Sequence, residues 1–479
     1  MNHLKNLRLT KKSFIYLAGL NALLALFTLL LNQEFQPIRL IALGSFTIFI
    51  LLLWNKFDNI LFFTRTLFLG GIGYFPMVVK IILGPYAYFS GYEKRTQEFD
   101  VVVLMYVATS LALLGNEIGL YLGAGQKKNS FRQSLTFEMS FWKIIFIFSI
   151  PIILWASLVS IKSAGQSVLS ASYGSTVGQE FYLGNTVAVG IISLLAMWVA
   201  ILKHHIKFGM VIFVVSALFF LVYSQFLMGY RQDVLTPLLG MAICYGLVKN
   251  TAFQLKAKIF ICIFVLLIVF EMWGLARQTF AVTRMSLTDM AVIVFTNTFN
   301  PDIVQFGTVS PIATTFSNMV WLIETKRMDF TWGQSYWEFI LRTPPAFLYP
   351  ERPADYAWIF GEYGLQAEGG FFELAEAYMN FGLPGAFLIP AIISFLLSKA
   401  FFNTMRKQTV FSYFLLFTFL GVFFRGTWYQ TFAFYKSFLT ILVLYTIFLV
   451  VYQNIAGALR NSYSIYRLRI KTQPKKQTI

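Results

Sequence analysis

Apolar residues in this chain come in long continuous runs, not in the alternation that a half-buried strand would show. Runs of about 20 apolar residues are long enough to cross a hydrocarbon core of roughly 30 Å. Within lipid, helices and closed barrels are the structures that satisfy their own backbone groups, and unbroken runs point to helices. About twelve spans are predicted on this basis: 13–31, 38–54, 60–83, 101–123, 141–161, 182–202, 208–228, 234–248, 259–276, 371–397, 410–424 and 438–456. The first run is too long for a secretory h-region and no small-residue cleavage site follows it, so a retained helix is expected. The expected fold class is an all-α polytopic membrane protein with a large extracytoplasmic loop containing short helices. Residues 1–276 form a nine-span bundle, 277–370 the loop, 371–456 the last spans and 457–479 a basic tail.

Composition agrees: 57% of the 479 residues are hydrophobic and 12% charged, with mean hydropathy +0.66, whereas soluble chains carry about twice that charged fraction. Charge placement then orients the chain. With the N-terminus inside, the even-numbered connections carry Lys127, Lys128 and Arg132, Lys203 and Lys207, Lys249, Lys256 and Lys258, and Lys399, Arg406 and Lys407. The positive-inside rule therefore puts both termini in the cytoplasm and the protein in a cytoplasmic (inner) membrane. The net charge of +17 follows from topology and attraction to anionic membrane lipids, with no nucleic acid invoked.

Candidate chemistry concentrates in two places. In the segment 369–385, Glu373, Glu376 and Asn380 fall at i, i+3 and i+7 and share one helix face. Gly382 suits a helix end and Pro384 the first turn of the next helix, which suggests a short outer helix followed by a short span. Such a pair of carboxylates is either an amphipathic interfacial helix with solvated acids or a general base for an acceptor hydroxyl. The second place is an outer set of arginines: Arg231, Arg277, Arg284, Arg342, Arg352 and Arg425. Guanidinium forks suit a diphosphate. Local pairs such as Arg231 with Asp233, or Arg352 with Glu351 or Asp355, are the plainer reading. The spans 234–248 and 410–424 are short, about 22 Å each at 1.5 Å per residue, so Arg231 and Arg425 would sit recessed in the outer leaflet unless the bilayer thins. Trp321, Trp332, Trp337 and Trp358 mark the loop as interfacial. Arg65 and Lys80, inside the third run, are expected to snorkel to its ends.

The sequence holds no phosphate-binding glycine loop and no GxSxG or HExxH motif. The first outer loop lacks a paired-carboxylate motif, so metal-dependent glycosyl transfer is not supported. Cys244 and Cys262 imply no disulfide framework. The adjacent His204 and His205 read as a solvated loop rather than a metal site, so no metal or cofactor is expected.

The run Glu373-Leu374-Ala375-Glu376-Ala377-Tyr378-Met379-Asn380-Phe381-Gly382, followed by Pro384-Gly385, resembles the AEAYxNFG signature of Wzy-type O-antigen and oligosaccharide repeat-unit polymerases. Gly229-Tyr230-Arg231 is similar to the G-x-R segment of that family, and the large loop before the last spans matches its architecture. Pro384 departs from the pattern. The resemblance implies a reaction in which an acceptor hydroxyl attacks the anomeric carbon of a glycan carried on undecaprenyl diphosphate. Arg231 and Arg425 would stabilise the leaving diphosphate, and Glu376 or Glu373 would take the proton. Arg277, Arg284, Arg342, Arg352, Tyr378 and Asn380 would bind substrate. A chain-length regulator and a flippase are the implied partners. Competing readings are a lipid-linked glycan ligase, a lipid-linked oligosaccharide flippase or transporter, and a non-catalytic scaffold. A transporter would show repeat symmetry and polar residues at mid-membrane, and neither is evident in the sequence.

Overall fold

The computed structural model describes residues 12–31, 34–57, 59–89, 94–125, 135–163, 180–204, 206–221, 231–249, 309–342, 358–365, 372–422 and 431–472. These form fourteen α-helices and no strands. The first eight are α1 (Lys12–Thr28), α2 (Phe35–Asn55), α3 (Ile60–Leu83), α4 (Phe99–Ala124), α5 (Leu135–Ser163), α6 (Glu180–Lys203), α7 (Gly209–Ala217) and α8 (Arg231–Lys249). Three helices occupy the stretch expected as the large loop: α9 (Val309–Glu324), α10 (Gln334–Arg342) and α11 (Trp358–Glu362). The chain ends with α12 (Glu373–Lys407), α13 (Val410–Leu420) and α14 (Phe432–Thr472). Among the described residues, seven helices are long and apolar enough to cross a membrane and four shorter ones are apolar. Together they account for every predicted span except 259–276, which lies outside the described residues. The chain is a multi-pass membrane protein.

Local chemistry sets several boundaries. Asn59 caps α3, its side-chain oxygen accepting from the amides of Leu61 and Phe62 at 3.0 and 3.3 Å. Thr409 caps α13 through the Ser412 amide. Two expectations change. The span at 234–248 begins earlier, at Arg231, and its 19 residues reach about 28 Å at 1.5 Å per residue, so there is no mismatch to recess Arg231. Helix α9 belongs to the loop whose short helices are expected to lie on or dip into the outer leaflet, and it is embedded rather than superficial. Its residues from Ile312 to Ile323 are buried, and it packs against α3, α4 and α12.

Among the described residues the most extensive contact joins α4 and α12, and its cause is a stripe of glycines. A Cβ on Gly115, Gly119 or Gly123 would stand 2.2, 2.2 or 2.4 Å from the carbonyl oxygens of Phe387, Ala391 and Phe395. The two backbones thus approach at one-turn intervals, the close packing that small residues permit between helices in lipid. The paired indices rise together, so the two helices run in the same direction.

The connections sort to two ends. Arg406 donates to the carbonyl of Ala124 and, at 3.2 Å, to that of Gly125. Lys203 donates to the carbonyl of Gln408, whose side chain donates to Leu247 O at 3.1 Å. One end therefore gathers the termini of α4, α6, α8 and α12 with the start of α13: the connections whose basic residues marked them as cytoplasmic. The opposite end gathers the starts of α4, α8 and α14 with α10 and α11.

Candidate functional site

The site is built on α12, which is not one straight helix. Gly382 has φ 61° and ψ −144°, a conformation that favours glycine. It divides the helix into a first arm, 373–381, and a second arm, 383–407. Pro384 falls in the opening turn of the second arm, where its missing amide costs nothing. The arms fold back on one another, for a Cβ on Gly385 would stand 2.2 Å from Ala377 O. Arg65 of α3 confirms the hairpin. Its guanidinium reaches the Glu373 carboxylate at 2.5 and 2.6 Å and the Ser394 hydroxyl at 3.4 Å. In a straight helix those two residues would be separated by about 30 Å. The first arm is thus re-entrant, with its N-terminus inside the bundle.

Glu373, Glu376 and Asn380 have no exposed surface, so the solvated interfacial reading of these carboxylates is overturned. Glu373 and Arg65 form a bidentate pair, 0% and 1% exposed. Arg65 therefore does not snorkel to an end of α3; it is held inside. Lys80 does reach the end of its helix, donating to Pro85 O at 2.8 Å with Nζ 5.0 Å from the Tyr88 ring centroid.

Glu376 faces differently. One carboxylate oxygen accepts from Ser335 Oγ of α10 at 3.0 Å, and the other from the Thr431 amide before α14 at 2.9 Å. Asn380 organises the neighbouring turn. Its Nδ2 donates to Ser335 Oγ and to Glu376 O at 2.7 and 2.8 Å. Its Oδ1 accepts from Thr331 Oγ1 and the Gly333 amide, both at 2.8 Å. The Thr331 and Trp332 amides donate to Met379 O and Asn380 O at 3.1 Å. These bonds hold Trp332 at φ 48°, a strained conformation for a bulky residue, with the residue 76% exposed. Tyr378 donates to Glu324 at 2.6 Å. Tyr336 of α10 stacks on Phe381 with ring centroids 6.3 Å apart. Burial first, then the Glu376 and Glu373 charges, push its phenol well above the usual range.

A second buried pair lies deeper. Lys56 donates to Glu117, the two being 0% and 3% exposed. Asn116 joins the pairs: its Nδ2 donates to Thr66 Oγ1 at 3.1 Å and to Glu117 at 3.4 Å, and its Oδ1 accepts from Ser394 at 2.7 Å. A polar ladder thus crosses the bundle interior from Lys56 through Glu117, Asn116, Ser394 and Arg65 to Glu373. Polar residues at mid-bundle, not evident from the sequence, are present.

The arginine set is reached only in part. Arg231 opens α8 at the same end as the hairpin turn, and Arg342 closes α10. Arg277, Arg284, Arg352 and Arg425 lie outside the described residues. Of the tryptophans, Trp321 is buried beneath the guanidinium groups of Arg95 and Arg327, 5.4 and 4.6 Å from its centroid. Trp332 and Trp337 are exposed. Cys244 is buried and free, and no cluster of metal-ligating side chains occurs among the described residues.

Sequence reasoning missed Ser335, Thr331 and Thr431 as partners of the acidic motif, and Arg65 as its counter-ion. The signal for Arg65 was available, since an arginine within an apolar run costs free energy unless it is paired. The arrangement separates two carboxylates by role. Both oxygens of Glu373 are engaged by one guanidinium fork. Glu376 accepts from one neutral hydroxyl and one amide, which leaves lone pairs for a further donor. Comparison with known proteins finds no family model, no curated protein and no solved structure that matches this chain.

Proposed function

We propose that this protein polymerises undecaprenyl-diphosphate-linked oligosaccharide repeat units at the outer face of a cytoplasmic membrane. The observation that carries the proposal is Glu376, a buried carboxylate held by Ser335 and the Thr431 amide within the acidic motif that resembles the polymerase signature. In the proposed reaction the acceptor hydroxyl of one lipid-linked repeat attacks the anomeric carbon of the donor glycan. The new glycosidic bond forms as the anomeric carbon–oxygen bond to the diphosphate breaks, and the leaving diphosphate takes the electron pair. Glu376 accepts the hydroxyl proton. Arg231 and Arg425 balance the charge that grows on the diphosphate, with Arg277, Arg284, Arg342 and Arg352 binding along the lipid-linked substrate. No nucleotide is required, because the donor already carries its leaving group. Glu376 has no exposed surface, so in the proposed reaction the acceptor hydroxyl takes the place of the Ser335 donor on its carboxylate.

A lipid-linked oligosaccharide flippase is the second reading, favoured by the buried ladder between Lys56 and Glu373. Against it, the charged members of that ladder already pair with one another. Surface glycan from a deletion strain, resolved on a gel, separates the readings. A single capped repeat supports polymerisation. Lipid-linked intermediates trapped in the cytoplasm indicate a flippase, and unattached long polymer a ligase. Complementation with Glu376→Gln should leave the single-repeat product; normal ladders from that variant would remove Glu376 from the reaction.

A further inference from the structure

We infer that Arg65 is a positioning residue that fixes the re-entrant arm, and that Glu373 is its anchor and not a proton acceptor. The inference rests on the polymerase reading only for its activity readout. The chain places an arginine in the opening turns of α3 and a glutamate 308 residues away at the tip of a hairpin. Both are withdrawn from solvent, and both carboxylate oxygens meet the guanidinium. Nothing local demands this pair. The first arm is nine residues long and lies within a larger bundle. Its N-terminal turn ends inside the protein, where unmatched amide and carboxylate charge is costly.

Arg65 resolves this in three ways. Its fork neutralises Glu373. Its Nε holds Ser394 of the second arm, clamping both arms of the hairpin to α3. Ser394 in turn donates to Asn116 of α4, so the clamp extends to the helix against which the second arm packs. Glu376, one turn beyond Glu373, is thereby held at the depth where Ser335 and the Thr431 amide meet it. A Glu373 whose two oxygens both accept from one guanidinium fork is poorly placed to take a substrate proton, because the fork occupies the lone pairs that face it. The acid of the motif left for chemistry is Glu376. Arg65 acts on it through the backbone of the first arm.

The test uses the full chain in membranes, with Cys244→Ser and Cys262→Ser as background and Ala375→Cys as a reporter within the buried first arm. The reporter is labelled with a membrane-impermeant maleimide, and glycan ladders are run in parallel. Arg65→Ala should raise the labelling rate at position 375 by about 10²–10³-fold, the population change that loss of a buried counter-ion brings, and should abolish long glycan. Arg65→Lys, which keeps the charge but loses the fork, should give intermediate labelling and short ladders. The exchange Arg65→Glu with Glu373→Arg should restore both protection and ladders. Three results overturn the inference: protection and ladders unchanged in Arg65→Ala; protection retained in Glu373→Gln with ladders lost; or an exchange variant that regains protection but makes no polymer. The last two would make Glu373 a chemical participant. Labelling does not depend on the reaction catalysed, so the anchor would stand on that readout even if the deletion strain showed no polymerisation defect.

Discussion

The glycine stripe on α4 yields a prediction whose sign is fixed by geometry. In Gly119→Ala the new methyl would stand 2.2 Å from Ala391 O and 2.9 Å from Phe395 N, against ordinary contact from 3.4 Å. The obstructing atoms are backbone, so relief requires α4 and α12 to separate by about 1.2 Å, the shortfall from ordinary contact. Overpacking of this kind costs about 1–3 kcal/mol. Alanine recovers about 1 kcal/mol of helix propensity, leaving a net loss of up to about 2 kcal/mol. Gly44 of α2 supplies the control, since a Cβ there meets nothing within 4 Å. Gly44→Ala should therefore stabilise by about 0.5–1 kcal/mol. Equilibrium unfolding of the purified protein in mixed micelles, followed by helical circular dichroism, compares the two variants. The same substitution in two transmembrane helices should shift the midpoint in opposite directions. If Gly119→Ala unfolds at or above the midpoint of Gly44→Ala, the backbone contact between α4 and α12 is wrong, and with it the parallel alignment of those helices.

Removing one member of the Lys56–Glu117 pair should destabilise by about 3–5 kcal/mol, while Lys56→Met with Glu117→Leu should be close to neutral; a double-mutant cycle in the same unfolding assay reads the coupling. Asn380→Ala strips acceptors from Thr331 and Gly333 and a donor from Ser335, and should cost about 1–3 kcal/mol; the intrinsic fluorescence of Trp332, exposed at that turn, should shift with the loss of its strained conformation. His204 is held below its usual value by burial first, then by the Lys203 and Lys143 charges. The unfolded chain therefore binds its proton at higher pH than the folded one, and stability should fall as pH drops through about 6.5. His204→Gln should flatten that part of the unfolding profile.

The spans were legible because apolar length is a local property. The third predicted span matches α3 at both ends, where Asn59 caps the start and Gly84 breaks the end. Helix α8 was shortened in the sequence reading because Arg231, Gln232 and Asp233 are polar, yet a helix continues through them. The acidic motif and the break at Gly382 were also visible, since Gly382 and Pro384 carry local backbone constraints. What stayed hidden was partnership. Glu373, Glu376 and Asn380 were placed on one face, but only Glu376 and Asn380 share a partner, Ser335. Glu373 belongs to Arg65, and no periodicity links two residues so far apart in one sequence. For the same reason the two arms of α12 read as an outer helix and a span, when the fold closes them into a hairpin within the bundle.

The hairpin also dictates an order of assembly. A nine-residue arm covers about 13 Å and cannot thread a bilayer by itself, so it must dock into helices already in place. During synthesis Arg65 enters the membrane hundreds of residues before its counter-ion is made. Until then the bidentate pair with Glu373 cannot form. A chain truncated before residue 373 should therefore be recognised as incomplete and degraded, although most of its spans are present. Completion of the bundle therefore waits on its last 107 residues, 373–479.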